Sequence, residues 1–259
     1  MAQLGSYARL LIDSYLVTSD TTNIELNMSR GETETPTHED PTAFILNELT
    51  GEMTVSGYIS QLPNAFILEK RLQAVFDDPD GTHYAALILD YRIGSGWDPA
   101  YIGTINSPKM DIKAVSNSVV TINGTFRMLS LSRPGLGDSF EDLRANCIYY
   151  EDLKALTAAT PAFGTWNDIT SVPDKVNVVV FTWEKSGVGS LTWNIEESAT
   201  GEGSGSEVFL ADETLGTSAA VDSAVTSLTA QQYIRFSVTS AASENCGIAA
   251  FLQTDTSLS

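Results

Sequence analysis

A mainly β chain with one helix and two β domains is predicted by three observations. Apolar residues alternate with polar ones in Ile24-Glu25-Leu26-Asn27-Met28-Ser29 and in the stretch from Met53 to Ile59, the period of strands with one buried face. One stretch alone has helical spacing: after Asn64, the residues Leu68, Leu72, Val75 and Phe76 fall at i, i+4, i+7 and i+8. Past Arg133, short apolar runs separated by Gly/Ser turns predict a small antiparallel sandwich.

In chain order, Tyr7 to Ile12 predicts a first strand and Leu16-Val17 a second, joined by an Asp13-Ser14 turn. The strand at Ile24–Ser29 leads into a polar, threonine- and acid-rich loop containing Pro36 and Pro41. Long loops within compact domains are functional or mobile, and this one is expected to reach a neighbouring subunit. Ala43–Leu46 is a short apolar run and Glu52–Ile59 a strand. Pro63 and Asn64 start the helix, and Asp77-Asp78-Pro79 ends it. Strands are expected at His83–Arg92, Ala100–Ile105, Met110–Val115 and Val119–Met128. The Ser132–Asp138 composition shift reads as a linker, which gives domains at 1–133 and 146–259 with 134–145 between them. Phe140–Thr170 is ambiguous between a short helix and strand pieces. Strands follow at Val176–Trp183, Ser190–Glu197, Tyr233–Thr239 and Gly247–Leu252, with a flexible loop at Ala199–Ser206.

Acids outnumber bases 33 to 14, a net charge of −19. A surface of that sign gives nucleic-acid phosphates no long-range attraction. Solubility and a saline habitat explain the same balance. Through Arg133 there are 9 bases and 16 acids, and beyond it 5 bases and 17 acids, so the second half is the more acidic. Cys147 and Cys246 form no metal or disulfide framework and read as buried small hydrophobes of a reducing compartment, a single bridge being the alternative. The N-terminus has no signal-peptide pattern, and no apolar run approaches the ~20 residues that span a bilayer.

No catalytic constellation is legible, so neither enzyme nor cofactor is expected. His38 with Glu34, Glu39 and Asp40 matches no metal-ligand spacing, and a solvated acidic loop accounts for it better. Asp77 to Gly81 lacks the ligand positions of a calcium loop and reads as a helix stop with a turn. No G-x-S-x-G elbow, phosphate-binding loop or dinucleotide fingerprint occurs. Trp97, Trp166, Trp183 and Trp193 suit either a carbohydrate platform or, more commonly for strand tryptophans, a core.

The order of elements is more informative. From Tyr7 to Met128 the chain resembles the tail tube (major tail) proteins of long-tailed bacteriophages and archaeal tailed viruses. The resemblance rests on the opening strand pair, the segment Asn23–Arg30, the Glu/Thr-rich Glu32–Thr37, the strand Glu52–Tyr58 leading to a helix, Gly103–Ile112 and the alternating Val119–Phe126. It implies a tail-tube-type β-sandwich or barrel with one flanking α-helix, the C-terminal part being an immunoglobulin-like β-sandwich domain. It implies a structural virion protein, made in the host cytoplasm, whose hexameric rings stack into the tail tube that conducts DNA on ejection. The implied partners are further copies, the tape measure protein and then genomic DNA in the bore without sequence-specific binding, and tail terminator and distal tail proteins, with no membrane. The resemblance further implies that Glu25, Asn27, Glu52 and Thr54 lie on lumen-side strands. Arg30, Glu32, Glu34, Pro36, His38, Glu39 and Asp40 would form an inter-ring or inter-subunit loop. The charge balance agrees with an acidic bore that keeps DNA mobile. Another virion ring protein, a capsid decoration protein and a carbohydrate-binding module are the alternatives.

Overall fold

The computed structural model describes residues 8–18, 21–34, 44–58, 67–78, 81–90, 98–114, 120–129, 131, 143–157, 162–169, 175–187, 189–202, 207–215, 220–227 and 232–254. The fold is mainly β, with one helix among these residues. It divides into two compact units, and neither is one continuous stretch of chain. One unit combines Met1–Thr18, Ala86–Ile102 and Arg144–Ser259; the other combines Ser19–Ala85 and Gly103–Leu143. Strands Arg9–Ile12 and Tyr15–Leu16, expected with the N-terminal domain, therefore group with the C-terminal strands. Of the expected linker, Arg144 and Ala145 already lie in a strand, and 134–142 is outside the described residues.

The smaller unit is a four-stranded antiparallel sheet with a helix. Its strands are β3 (Thr21–Glu34), β4 (Phe44–Tyr58), β7 (Thr121–Leu129) and the C-terminal part of β6 (Asp98–Lys113), in the order β3-β4-β7-β6. The expected strands at Ala100–Ile105 and Met110–Val115 are thus one long strand, with a register shift between Asn106 and Lys109 absorbing Ser107-Pro108. In β7 the sequence alternation becomes strict alternation of burial, with Ile122, Gly124, Phe126 and Met128 inward. Helix α1 (Ile67–Asp77) lies on this apolar side and buries Leu68, Leu72 and Val75. Its seat is Gly124: a Cβ there would stand 2.5 Å from Leu72 Cδ1, so any larger residue must displace the Leu72 side chain. Phe76, expected on the buried stripe, is 52% exposed. The stripe i, i+4, i+7 is already three residues wide at Val75, and the next position turns off the sheet. The helix stops as expected: Asp78 N donates to Ala74 O, Gly81 N donates to Asp78 O, and His83 Nε2 lies 3.1 Å from Asp78 O.

The larger unit is a sandwich. One sheet contains β14 (Val221–Ser227), β11 (Lys175–Ser186), β16 (Glu244–Thr254), β8 (Arg144–Leu156), the start of β6, β5 (His83–Ile88), β1 (Arg9–Ile12) and β2 (Tyr15–Leu16), in that order. The other contains β9 (Ala162–Phe163) and β10 (Asn167–Asp168), both on β15 (Tyr233–Ser240), then β12 (Leu191–Ser198) and β13 (Glu207–Leu215). Within the ambiguous Phe140–Thr170 region, Arg144–Leu156, Ala162–Phe163 and Asn167–Asp168 are strand. Between the sheets Val176, Val178, Val180, Trp193, Phe236, Ile248 and Leu252 form one core. From Val176 to Trp183 every residue of β11 is buried, because its other face is covered as well. There Phe181 meets Phe251 edge-on at 5.5 Å, Tyr150 lies 5.7 Å from Trp183, and β2 curls back against β11. A run of apolar residues without alternation is what two covered faces require. Both cysteines are free and buried.

Candidate assembly interface

The four-stranded sheet of the smaller unit has two faces of opposite character, and register fixes which residues share each. On the polar face Glu25, Thr54, Thr125 and Lys109 form one cross-strand row, and Asn27, Glu52 and Arg127 form the next, with Asn106 at its end. Asn23, Ser56, Asn123 and Asp111 form a third. So Glu25, Asn27, Glu52 and Thr54 do share one face, as period-two alternation requires of neighbouring strands in register. Thr54 and Thr125 hydroxyls lie 3.4 Å apart, and Asn23 Nδ2 donates to Glu25 Oε1 at 2.8 Å.

The described charges of this face are of both signs. Its described acids are Glu25, Glu52 and Asp111, and its described bases are Lys109, Lys113 and Arg127. Glu52 stands opposite Arg127, and Lys109 lies 3.6 Å from Asp111. The alternation signal that placed the acids says nothing of β6 and β7, which supply the bases. Chain-wide charge does not report on one face.

The opposite face is apolar and incompletely covered. Leu72 of helix α1 sits over Gly124, Leu143 closes on Gly51 and Gly103, and Met53, Val55, Phe126 and Met128 are buried. Toward the two outer strands the cover ends: Met28 on β3 is 42% exposed and Ile112 on β6 is 50% exposed. Those strands also carry free edges. Among the described residues β3 pairs with β4 alone, and the Lys109–Lys113 end of β6 pairs with β7 alone. Each edge offers unpaired backbone donors and acceptors beside uncovered apolar side chains, the condition under which strands add to one another.

The first residues of the loop expected from Arg30 are strand. Arg30, Glu32 and Glu34 continue β3 and pair with Leu49, Leu46 and Phe44 of β4. The physical reason is that Phe44-Ile45-Leu46 supplies a β-prone partner, and a register shift at Gly31 carries the ribbon on. Pro36, His38, Glu39 and Asp40 lie outside the described residues. Beyond Thr50 the ribbon has no third described strand, since β7 pairs only Thr50–Tyr58 of β4.

Elsewhere, chemistry is sparse. Trp183 and Trp193 are buried in the sandwich, and Trp166 stacks on Arg235 at 4.5 Å, so these three form no exposed platform; Trp97 lies outside the described residues. Arg235 also covers Phe163 at 4.2 Å, and its Nε and Nη2 both donate to Glu196 Oε2, at 2.8 and 2.6 Å. Lys185 and Glu244 form a fully buried ion pair at 3.7 Å. Burial pushes the Cys246 thiol up to about 11, with Lys185 opposing and Glu244 adding to the shift, and burial also raises Cys147. Such thiols are inert at neutral pH. Among the described residues no group of three or more His, Cys, Asp or Glu could hold a metal, and no helix is long and apolar enough to cross a membrane.

No protein-family model and no curated sequence matches the chain. Among solved structures it is similar to a chain of the virion of a native gene transfer agent particle, at 10% identity over 46% of this chain and 89% of that one, with a TM-score of 0.34. It is also similar to a chain of the sheath-tube complex of an extracellular contractile injection system, at 9% identity over 47% and 84%, with a TM-score of 0.34. The Dit (gp 19.1) protein of phage SPP1 overlaps at 9% identity over 95% and 98%, with a TM-score of 0.31. TM-scores in this range carry nothing about function.

Proposed function

We infer that this chain is a structural subunit of a viral tail tube, in which the four-stranded sheets of successive copies join edge to edge around a bore and the rings stack. One observation carries the reading: among the described residues the sheet is unfinished at both sides, with free edges on β3 and β6 and apolar Met28 and Ile112 uncovered beside them. Edges of this kind aggregate unless blunted or closed, and closure through neighbours removes them. The strand count suits closure. Four antiparallel strands leave β3 and β6 running in opposite directions, so copies related by rotation about one axis meet antiparallel.

In this assembly the polar face lines the bore, and Glu25, Asn27, Glu52 and Thr54 stand there with Lys109, Lys113 and Arg127. Among the described residues, three acids and three bases on a bed of Asn, Ser and Thr give a passing polyanion neither a basic track to bind nor a strong barrier. Six copies per ring follow from the tail-tube resemblance of a chain with one such sheet. The β3–β4 ribbon beyond Thr50 is the part that reaches the next ring, and tape measure protein and then DNA occupy the bore. Purified protein examined by negative-stain microscopy and mass photometry should show rings or tubes. Monomers alone across concentration and salt would overturn the reading. Removing residues 35–43 should leave rings that no longer stack; unaltered tubes would sink the role of the ribbon.

A further inference from the structure

Resting on that edge-to-edge reading, we propose that the seam between copies is antiparallel, with one register: Lys113 opposite Glu25, Ile112 opposite Leu26, Asp111 opposite Asn27, Met110 opposite Met28, and Lys109 opposite Ser29. Both strands are regular across this span, since the shifts in β3 fall outside Asn23–Arg30 and that in β6 falls before Lys109. An even number of strands keeps side-chain faces in step around the sheet, so only registers that pair polar face with polar face are open.

Among those, charge and burial select one. Within a copy the row through Glu25 ends on Lys109. In the proposed register Lys109 meets Ser29 of the next copy, so each copy advances the row by four residues. The half-exposed Met28 and Ile112 both gain apolar partners, Met110 and Leu26, and the exposed carboxylate of Glu25 gains the exposed ammonium of Lys113. An advance of two residues would set Glu25 against Asp111, acid on acid. No advance would set Ile112 against Thr22. An advance of six seats Met28 on Ile112 but leaves Asn27, rather than Glu25, opposite Lys113.

Barrel geometry independently rules out the two smaller advances; an advance of six would incline the strands by about 46°, so the Glu25–Lys113 pairing decides between four and six. Four residues are roughly 13 Å along a strand, against roughly 19 Å across four strands, which inclines the strands by about 35°. Closed barrels have tilts of about 35–45°. An advance of two gives only about 19°, and none gives no tilt.

The test is cysteine-pair cross-linking of the full chain, using a short methanethiosulfonate reagent. Met28→Cys with Met110→Cys should give covalent oligomers up to closed rings, while either single variant should give none. Cross-linking instead through Leu26→Cys with Met110→Cys, Ile24→Cys with Met110→Cys, or Met28→Cys with Ile112→Cys would establish an advance of two, zero or six and overturn the register. Charge reversal gives a second readout. Glu25→Lys and Lys113→Glu should each lower association by about threefold to tenfold per seam, and the double exchange should restore it. Association unchanged by either reversal would refute the pairing. Wild-type protein that forms no rings would instead remove the edge-to-edge reading itself.

Discussion

The two units solve the burial problem in opposite ways. In the sandwich, β11 is covered on both faces, and aromatic pairs such as Phe181–Phe251 fill the far side. In the four-stranded sheet, Leu72 and Leu143 cover the centre and the outer strands remain half bare. The sandwich buries its core between its own sheets, whereas among the described residues the small sheet leaves Met28 and Ile112 exposed. What a residue contributes to folding and what it contributes to association should therefore separate by unit.

The sharpest way to break that separation is a core deletion. Trp193 is fully buried, and its Nε1 donates to Asp222 Oδ2 at 3.0 Å. Trp193→Ala should lower unfolding free energy by about 3–5 kcal/mol, measured by urea denaturation. Met28→Ser combined with Ile112→Ser should change monomer stability by less than about 0.5 kcal/mol and still abolish ring formation. A large stability loss from the second pair would mean that the small sheet is already closed.

Next in size are the glycine seats where any larger residue must displace a neighbour. A Cβ on Gly247 would stand 1.9 Å from Trp183 Cε2, and one on Gly124 would press into Leu72. Gly247→Ala and Gly124→Val should each cost about 1–3 kcal/mol by overpacking. Hydrogen exchange would distinguish them: Gly124→Val should expose the amides of Ile67–Asp77 and leave the sandwich protected.

Arg235→Ala removes a guanidinium held between two rings and a carboxylate, and should cost about 1–2 kcal/mol. The loss should appear as faster exchange at β9 and β10 rather than in the small unit. The mildest effect is alkaline. The Cys246 thiol is raised in the fold to about 11 from an ordinary value of 9.0, chiefly by burial. The unfolded chain ionises first, so this contribution is whole below about pH 9 and is lost as pH rises toward about 11. A stability profile flat across that window would contradict the burial of the thiol.

Where local pattern decides structure, the sequence is informative. β7, β12 and helix α1 follow directly from periods of 2 and 3.6, and Asp78 closes the helix as its neighbours Asp77 and Pro79 suggest. The missing parts are those that only tertiary pairing decides. β13 and β14, EVFLADETL and VDSAVTS, are rich in acids and small residues and become strands because β12 and β11 offer edges to them. The Arg30–Glu34 stretch reads as loop by composition and is strand because Leu49, Leu46 and Phe44 face it. That Arg9–Leu16 belongs with strands over a hundred residues away has no local signature. For the proposed interface, alternation brought four polar residues to one face but could not show that lysines and an arginine share it.

The interleaving of the two units also constrains how the molecule can be divided. The backbone changes unit at Thr18, Ala85, Ile102 and Leu143, and β5 and β6 each contribute to both units without a break. Neither unit is a cassette. A chain truncated after Arg133 would lack most of the sandwich yet keep strands that need it, and a single protease nick would liberate neither part. Any module exchanged by recombination would have to be the small sheet's two segments together or the whole chain.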